Sequence, residues 1–455
     1  MNLRFLLPFS ATAALVACIG NSGSASAPPA DVRPVVGDGI AGIAWTPQLA
    51  VTYLAFASTN PALTTLNWDN QGINGFAILN AGTDSVPPAL LCNNLPGISP
   101  NGLPYYFTVD AHTGTAPGGS GSPTITVTPR AAGGAGTWSF GNPLGINMNG
   151  VGYAAFTTCQ ASSLPTGIYA AVGAGGAIFS SSDGKNWTSR TPANYSTDLN
   201  AVASFTVNIN LAPSILLVAV GTNGAVIRSA DGVNWTPSIT GSPAISTLRA
   251  VTAAGNNFVA VGDNGYIQTS ADGVTWVARP SNTTANLHGV HCVNSTCVAV
   301  GDAGVADVSV DTGNSWFVNV LGNGTSTLRS VAYGNFDNNV TGNGVIGEGG
   351  NTSINTWVIV GDNATAFETN GFTSTATAIT WAATPITSAA NLIAISYTTQ
   401  FVAIDSAGNA FTSQTAVAGS WSTPVATGIP DPSSVATNEH GYVLVGSAGD
   451  NANSF

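Results

Sequence analysis

From residue 136 onward the chain alternates short apolar runs with tight polar turns, and the pattern repeats. Its clearest copy is residues 259–276, VAVGDNGYIQTSADGVTW. Val259-Ala260-Val261 is short and rich in β-branched side chains, which predicts a strand. Gly262-Asp263-Asn264-Gly265 is turn chemistry, because Gly and Asn accept positive φ. Residues 266–269 predict a second strand. In Ser270-Ala271-Asp272-Gly273 the carboxylate is placed to accept bonds from amides ahead of it, and the Gly supplies a left-handed residue. Trp276 opens a third strand, and residues 248–251 upstream make a fourth. Four short antiparallel strands cannot bury both faces alone, so such units must stack on one another.

The copies can be counted. S-x-D-G-x-x-W recurs at residues 181–187, 229–235 and 270–276, with a one-residue-longer form at 309–316. Two further copies keep Trp381 and Trp421 but lose the Asp. Successive Trp spacings from Trp187 are 48, 41, 40, 65 and 40 residues. Four strands at a period of about 40–45 residues is a propeller signature. Residues 136–140 form a Trp strand without the rest of its unit, and residues 441–446 a Val-Gly unit without its Trp. Joined, they predict a ring over 136–455 closed by 136–140 pairing with 432–455. Counting from Trp138 gives seven blades. Six or eight are the alternatives, because the interval from Trp316 to Trp381 is long. Its excess is assigned to a loop insertion at 333–355.

Residues 309–316 resemble the Asp-box, or BNR, repeat of sialidases. The wider cassette is similar to bacterial BNR-like propellers, photosystem-assembly propellers among them. The resemblance implies a scaffold role for Asp183, Asp231, Asp272 and Asp311 as turn residues and for Trp187, Trp235, Trp276 and Trp316 between blades. It implies no activity, since the motif occurs in propellers of many functions.

Residues 35–131 carry no Asp box. Residues 42–47 and 52–56 read as adjacent strands, 105–111 as another, and 123–129 as the last. The pattern resembles a fibronectin type III domain, which implies a core position for Trp45 and a tyrosine corner at Tyr105; an unrelated β-sandwich is the alternative. The expected fold class is therefore all-β: a fibronectin type III-like sandwich followed by a seven-bladed propeller.

The N-terminus changes the setting. Arg4 makes a short positive region, residues 5–14 are apolar, and Leu15-Val16-Ala17-Cys18 resembles the lipobox of bacterial lipoproteins. That resemblance implies removal of residues 1–17 and lipid attachment at Cys18, with two or more acyl chains giving stable anchoring. Ile19 favours the outer membrane in a Gram-negative host. Residues 18–34, rich in Gly, Ser, Ala and Pro, are expected to be a flexible tether. Of the five cysteines, Cys292 and Cys297 flank a predicted hairpin turn and are expected to form a disulfide. Cys92 and Cys159 pair across the domain boundary or stay as thiols.

Charged residues are 7% of the chain, and the net charge is −12. No basic stripe is present, which argues against nucleic acid as a partner. Glu is nearly missing from the propeller, and no sialidase-like Arg set appears. Asp263, Asp302 and Asp362 follow the Val-Gly of three blades and read as turn residues. The histidines show no zinc-type spacing, and His291 is expected to face solvent or cap a turn. No cofactor or metal is predicted. One constellation stands out. Aligning the strands that begin Leu-x-x-Val places Asn149, Asn200, Arg249, His288, Arg329, Ile393 and Ser433 at one ring position. Arg249, His288 and Arg329 fall on consecutive units and would form a positive sector for a carboxylate or phosphate, unless they pair with the turn aspartates. Asn200 adjoins them. The expected function is a non-enzymatic, membrane-anchored scaffold of the cell envelope that binds a protein or polysaccharide. An Asp-box glycoside hydrolase or sialidase-like glycan-binding lipoprotein is the alternative, and a structural envelope component the third.

Overall fold

A computed structural model describes residues 24–25, 27–28, 32–37, 40–45, 51–67, 76–78, 91–94, 103–113, 121–127, 138–156, 166–209, 212–238, 246–337, 353–369, 379–398, 400–438 and 441–454. The chain divides into two compact units, one of Met1–Ala131 with Thr158–Thr166 and one of Ala132–Thr157 with Gly167–Phe455.

In the first unit Arg33–Gly37, Ile40–Trp45 and Leu91–Asn94 form one antiparallel sheet, with Ile40–Trp45 in the middle. A second sheet runs Phe76–Ile78, Thr52–Ser58, Tyr105–Thr113. The far edge of Tyr105–Thr113 is shared. Ile125–Val127 pairs with its first half, and Ser24–Ala25 with His112 and Thr113. Strand alternation sends Tyr53, Ala55, Phe107 and Val109 to one face, where they meet Ile43 and Trp45 of the other sheet in a single core. Trp45 is fully buried and meets Tyr53 edge-on. Within the stretch expected to be a tether, Ser24–Ala25 and the residues from Arg33 belong to strands, and most of the rest lies outside the described residues. Cys18 and Cys159 lie outside the described residues, as does any partner of Cys92.

The second unit contains seven four-stranded antiparallel sheets among the described residues. Their first strands are Met148–Phe156, Leu199–Ile209, Leu248–Ala254, Leu287–Val293, Leu328–Asp337, Leu392–Tyr397 and Pro432–Asn438. Each packs beside the next, and Met148–Phe156 packs beside Pro432–Asn438, so the arrangement returns on itself. The last sheet takes its outer strand from Ser139–Phe140, which pairs with Asn453 and Ala452. Closure leaves no free sheet edge between first and last units. Apolar clusters lie between neighbouring sheets: Val259, Val261 and Ile267 of one unit, for example, meet Leu287, Ala299 and Trp316 of the next.

The expected loop at 333–355 is corrected at its two ends, while 338–352 lies outside the described residues. Leu328–Asp337 and Ser353–Gly361 are paired strands, register running from Leu328↔Gly361 to Asp337↔Ser353. The alternation of Tyr333, Asn335, Asn355 and Trp357 was masked in sequence by its Gly/Asn content.

The recurrent Val-Gly has a steric cause. A Cβ on Gly262 would lie 2.0 Å from the Thr247 carbonyl oxygen, on Gly221 1.9 Å from that of Asp198, and on Gly301 2.1 Å from that of Asn286. The φ of Gly262 is −168°, extended backbone open to any residue, so close approach of the preceding loop is what requires glycine. The next turn uses left-handed residues instead, Asn264 at φ 57° and Gly265 at 67°.

Candidate functional site

The Asp-box turns are built alike. Asp272 Oδ1 accepts from the Val274 amide at 2.8 Å, the Thr275 amide at 2.7 Å and the Ser270 hydroxyl at 3.0 Å. Asp231 receives the Val233 and Asn234 amides, and Asp311 the Asn314 and Ser315 amides. Asp183 receives those of Lys185 and Asn186. Burial raises the affinity of Asp231, Asp272 and Asp311 for protons, but these accepted bonds outweigh it and hold all three below the usual carboxylate range. Trp187, Trp235, Trp276 and Trp316 are buried. The glycine of the box rests on the preceding sheet: a Cβ on Gly273 would lie 2.8 Å from Val218 Cγ2. These bonds order the turn and seat the Trp and Gly of the box between sheets.

The ring position is set by a backbone irregularity. In six of the sheets the pairing slips between the first and third residues of the innermost strand, at Leu248/Ala250, Leu287/Gly289 and Leu328/Ser330 for instance. The residue left out of the ladder is Asn200, Arg249, His288, Arg329, Ile393 or Ser433. A bulge re-aims the side chain of its extra residue. These six and Asn149 line one cavity of about 340 Å³. The same seven residues also line a second cavity of about 500 Å³ between the innermost strands.

The three basic residues do not stand free. Arg249 Nε pairs with Asp263 Oδ1, and Arg329 Nε with Asp362 Oδ1. Arg329 Nη2 also donates to Asp362 Oδ2 at 3.1 Å. His288 Nε2 meets Asp302 Oδ1 at 2.7 Å. Asp302 further accepts Asn286 Nδ2 and the Thr327 hydroxyl. Burial works against its charge, yet these bonds and the charge of His288 hold its carboxyl below the usual range. Two guanidiniums and an imidazole thus face three carboxylates, so the three basic residues are paired with the turn aspartates and form no free positive sector. The spacing carries a legible signal: cation and Asp stand fourteen residues apart in Arg249–Asp263 and His288–Asp302. In Arg329–Asp362 the longer hairpin stretches it.

The remaining ring residues bridge units. Asn149 Nδ2 donates to the Leu199 carbonyl at 2.9 Å, and Asn200 Nδ2 to that of Leu248 at 2.8 Å. Ser433 donates to the Met148 carbonyl. A second set of clasps was missed in sequence. The residue before the innermost strand accepts the amide of the left-handed turn residue in the preceding unit: Asn147 from Ala448, Asp198 from Gly175, Asn286 from Asn264, Asn391 from Asn363. Asn or Asp immediately before Leu or Met is the signal that would have found them.

His291, expected to face solvent or cap a turn, is half-buried and lines the cavity between the innermost strands. It packs edge-on against Trp357 at 5.9 Å between ring centroids, and burial lowers its pKa to about 4. Cys292 and Cys297 sit opposite each other in the hairpin and are bonded, S–S 2.02 Å. Among the described residues no group of three or more His, Cys, Asp or Glu side chains could hold a metal ion. No helix among them is long and apolar enough to cross a membrane.

The sequence matches no protein-family profile and no curated protein. Among solved structures, YCF48 from Cyanidioschyzon merolae is 14% identical over 70% of this chain and 98% of its own, with a TM-score of 0.52. YCF48 bound to a D1 peptide is 13% identical over 70% of this chain and 94% of its own, with a TM-score of 0.50. Identity this low shows a shared fold alone. The chain carries a β-propeller.

Proposed function

We propose that this chain is a membrane-anchored, extracytoplasmic scaffold whose seven-bladed, Asp-box propeller holds a protein partner at the channel mouth. The observation that carries the reading is the ring of Arg249, His288 and Arg329 with their aspartates around an open polar cavity. The side chains of Arg249 and Arg329 stay 38% and 37% exposed despite their ion pairs. Donors and acceptors alternate there, which suits the backbone and side chains of a polypeptide better than a lone anion. A propeller of the same fold has been seen with a peptide bound. The scaffold reading is non-enzymatic: the acids of the mouth are committed to ion pairs. The lipobox at Cys18 supplies the anchor, and the sandwich is taken as a fibronectin type III-like spacer, a reading supported by its two-sheet order and by buried Trp45 and Tyr105.

The test is capture from detergent-solubilised envelopes by the full chain and by an Arg249→Ala/Arg329→Ala double variant. One stoichiometric protein retained by the parent, at least tenfold weaker on the variant, is expected. Recovery of polysaccharide instead, or equal capture by both chains, overturns the reading.

A further inference from the structure

The outer strands of the seven sheets differ in how they meet solvent. Ser139–Phe140, Thr188–Ser189, Ala382–Ala383 and Val425–Ala426 are two residues long, Thr236–Pro237 carries a proline, and Val277–Arg279 carries a charge. Short length, proline and charge are devices that keep a sheet edge from pairing with another chain. Phe317–Val320 has none of them. It is the longest of the seven at four residues, and no charged residue stands between Asp311 and Arg329. Its alternation leaves Val318 36% and Val320 60% exposed. Val318 pairs with Asp307 and Asp307 with Ala299, which packs on the preceding sheet. Both valines therefore lie on the face turned toward that sheet, whose own outer strand leaves Val277 exposed. The backbone fixes which groups are open. Leu321 donates its amide inward to the Gly304 carbonyl at 2.8 Å. Directions alternate along a strand, so the amides and carbonyls of Phe317 and Asn319 also face inward and those of Val318 and Val320 face outward, at the end of the sheet.

We infer that Phe317–Val320 is where two copies of this chain join, edge to edge and antiparallel, about a two-fold axis at Asn319. In that register Val318 stands opposite the partner's Val320, and Asn319 opposite its own counterpart. The two amides and two carbonyls that each edge turns outward then make four hydrogen bonds between the copies, leaving none of them open. A slip of one residue sets outward groups against inward ones and puts the valines on opposite faces. A slip of two leaves one valine of each copy without a strand residue opposite it. The matched register also stacks each exposed valine on another across the junction. The occupant is a second copy because the surface is complementary to itself, as a two-fold contact requires. Charge agrees: two chains of net charge −12 meet here through a stretch that carries no charge and so brings no like charges together. The junction depends on neither the lipid anchor nor the channel mouth.

The experiment follows the full chain by sedimentation velocity over a range of concentrations, beside Val320→Lys and Val318→Pro. The first puts like charges across the junction, and the second removes one outward amide while sparing the ladder inside the sheet. A concentration-dependent dimer is expected for the parent, with association at least tenfold weaker in each variant and circular dichroism unchanged. A second measurement reads the register. Facing Cα atoms in the Asn319 pair would stand about 4.5 Å apart, within disulfide range. Asn319→Cys treated with diamide should therefore give a dimer linked at 319, located by mass spectrometry of the peptides, whereas Thr188→Cys on another outer strand should not. A parent that stays monomeric throughout, a dimer unchanged in both edge variants, or linkage no faster at 319 than at 188 overturns the inference.

Discussion

At the scale of single residues, two positions store free energy in opposite ways. Ala303 occupies the left-handed turn site at φ 53°, where Asn223, Asn264 and Asn363 stand in other units. A left-handed Cβ costs about 1–2 kcal/mol, and Asn tolerates it better because its side chain bonds locally. Ala303→Asn, at an exposed site, is expected to raise stability by about 0.5–1 kcal/mol, read as a higher denaturant midpoint for the propeller. Asp307 is fully buried on the third strand of its sheet, and its carboxylate receives no well-formed hydrogen bond. Burial pushes it up to about 7, the neighbouring Val308 amide opposing only weakly. Between about pH 4 and 7 the unfolded chain has released this proton and the folded one has not. Stability therefore falls as pH rises through that window and levels off above it. Asp231, Asp272 and Asp311 act oppositely: their pKa values are depressed, so their contribution is lost only as pH falls below the ordinary carboxylate range. An optimum on the acid side of neutrality follows. Asp307→Asn should flatten the slope between pH 4 and 7, by a few kcal/mol at pH 8; unchanged melting curves across that range would sink this account.

At the scale of the element, the unit is shaped by close approach as much as by propensity. Gly262 and Gly255 look equivalent in sequence, each a glycine in a turn of the same sheet. Gly255 has φ +59° with nothing within 4 Å of a built Cβ, whereas Gly262 is extended with a carbonyl oxygen 2.0 Å away. Gly255→Ala should cost about 1 kcal/mol, the left-handed penalty alone. Gly262→Ala should cost about 3 kcal/mol or more, since the preceding loop must move. Equal losses in urea titrations would remove the close-approach argument. The sixth sheet shows how the constraint is relaxed: Asp405 stands where the glycine would be, pairing with Leu392. Its buried carboxylate organises the turn, accepting the Ala407 and Asn409 amides and the Ser388 hydroxyl. Ile404-Asp405, standing where other units have Val-Gly, is a different solution to the same turn.

At the scale of the whole molecule, closure depends on a few polar groups far apart in sequence. Asn142 accepts the Trp187 amide on its Oδ1 at 2.7 Å, and its carbonyl receives Asn451 Nδ2 at 2.8 Å. Asn453 Nδ2 reaches the Gly184 carbonyl, and Phe140 lies over Gly428. One short segment thus touches the last sheet, the first and the sixth. Asn142→Ala should remove about 1–3 kcal/mol by leaving the Trp187 amide without its acceptor. Hydrogen exchange should rise first in Ser139–Phe140 and Asn451–Ser454; protection unchanged there would show that the apolar interfaces alone keep the ring shut.

The sequence by itself determined the unit: its four strands, its two turns, the Asp box, and the ring position on Leu-x-x-Val, because each follows from local backbone chemistry repeated at a fixed period. It also brought Cys292 opposite Cys297, since the four residues between them form a tight turn that leaves few other arrangements. What it left open was every property that depends on which side chains meet across units or loops. Arg249, His288 and Arg329 read as a positive sector until the turns brought Asp263, Asp302 and Asp362 against them. His291 read as exposed until the next sheet laid Trp357 beside it. The strand at Ser24–Ala25 read as tether because its partner lies some ninety residues away. Local propensity decides turns and strands, whereas pairing, charge balance and burial arise from contacts that exist only once the ring and the sandwich have formed.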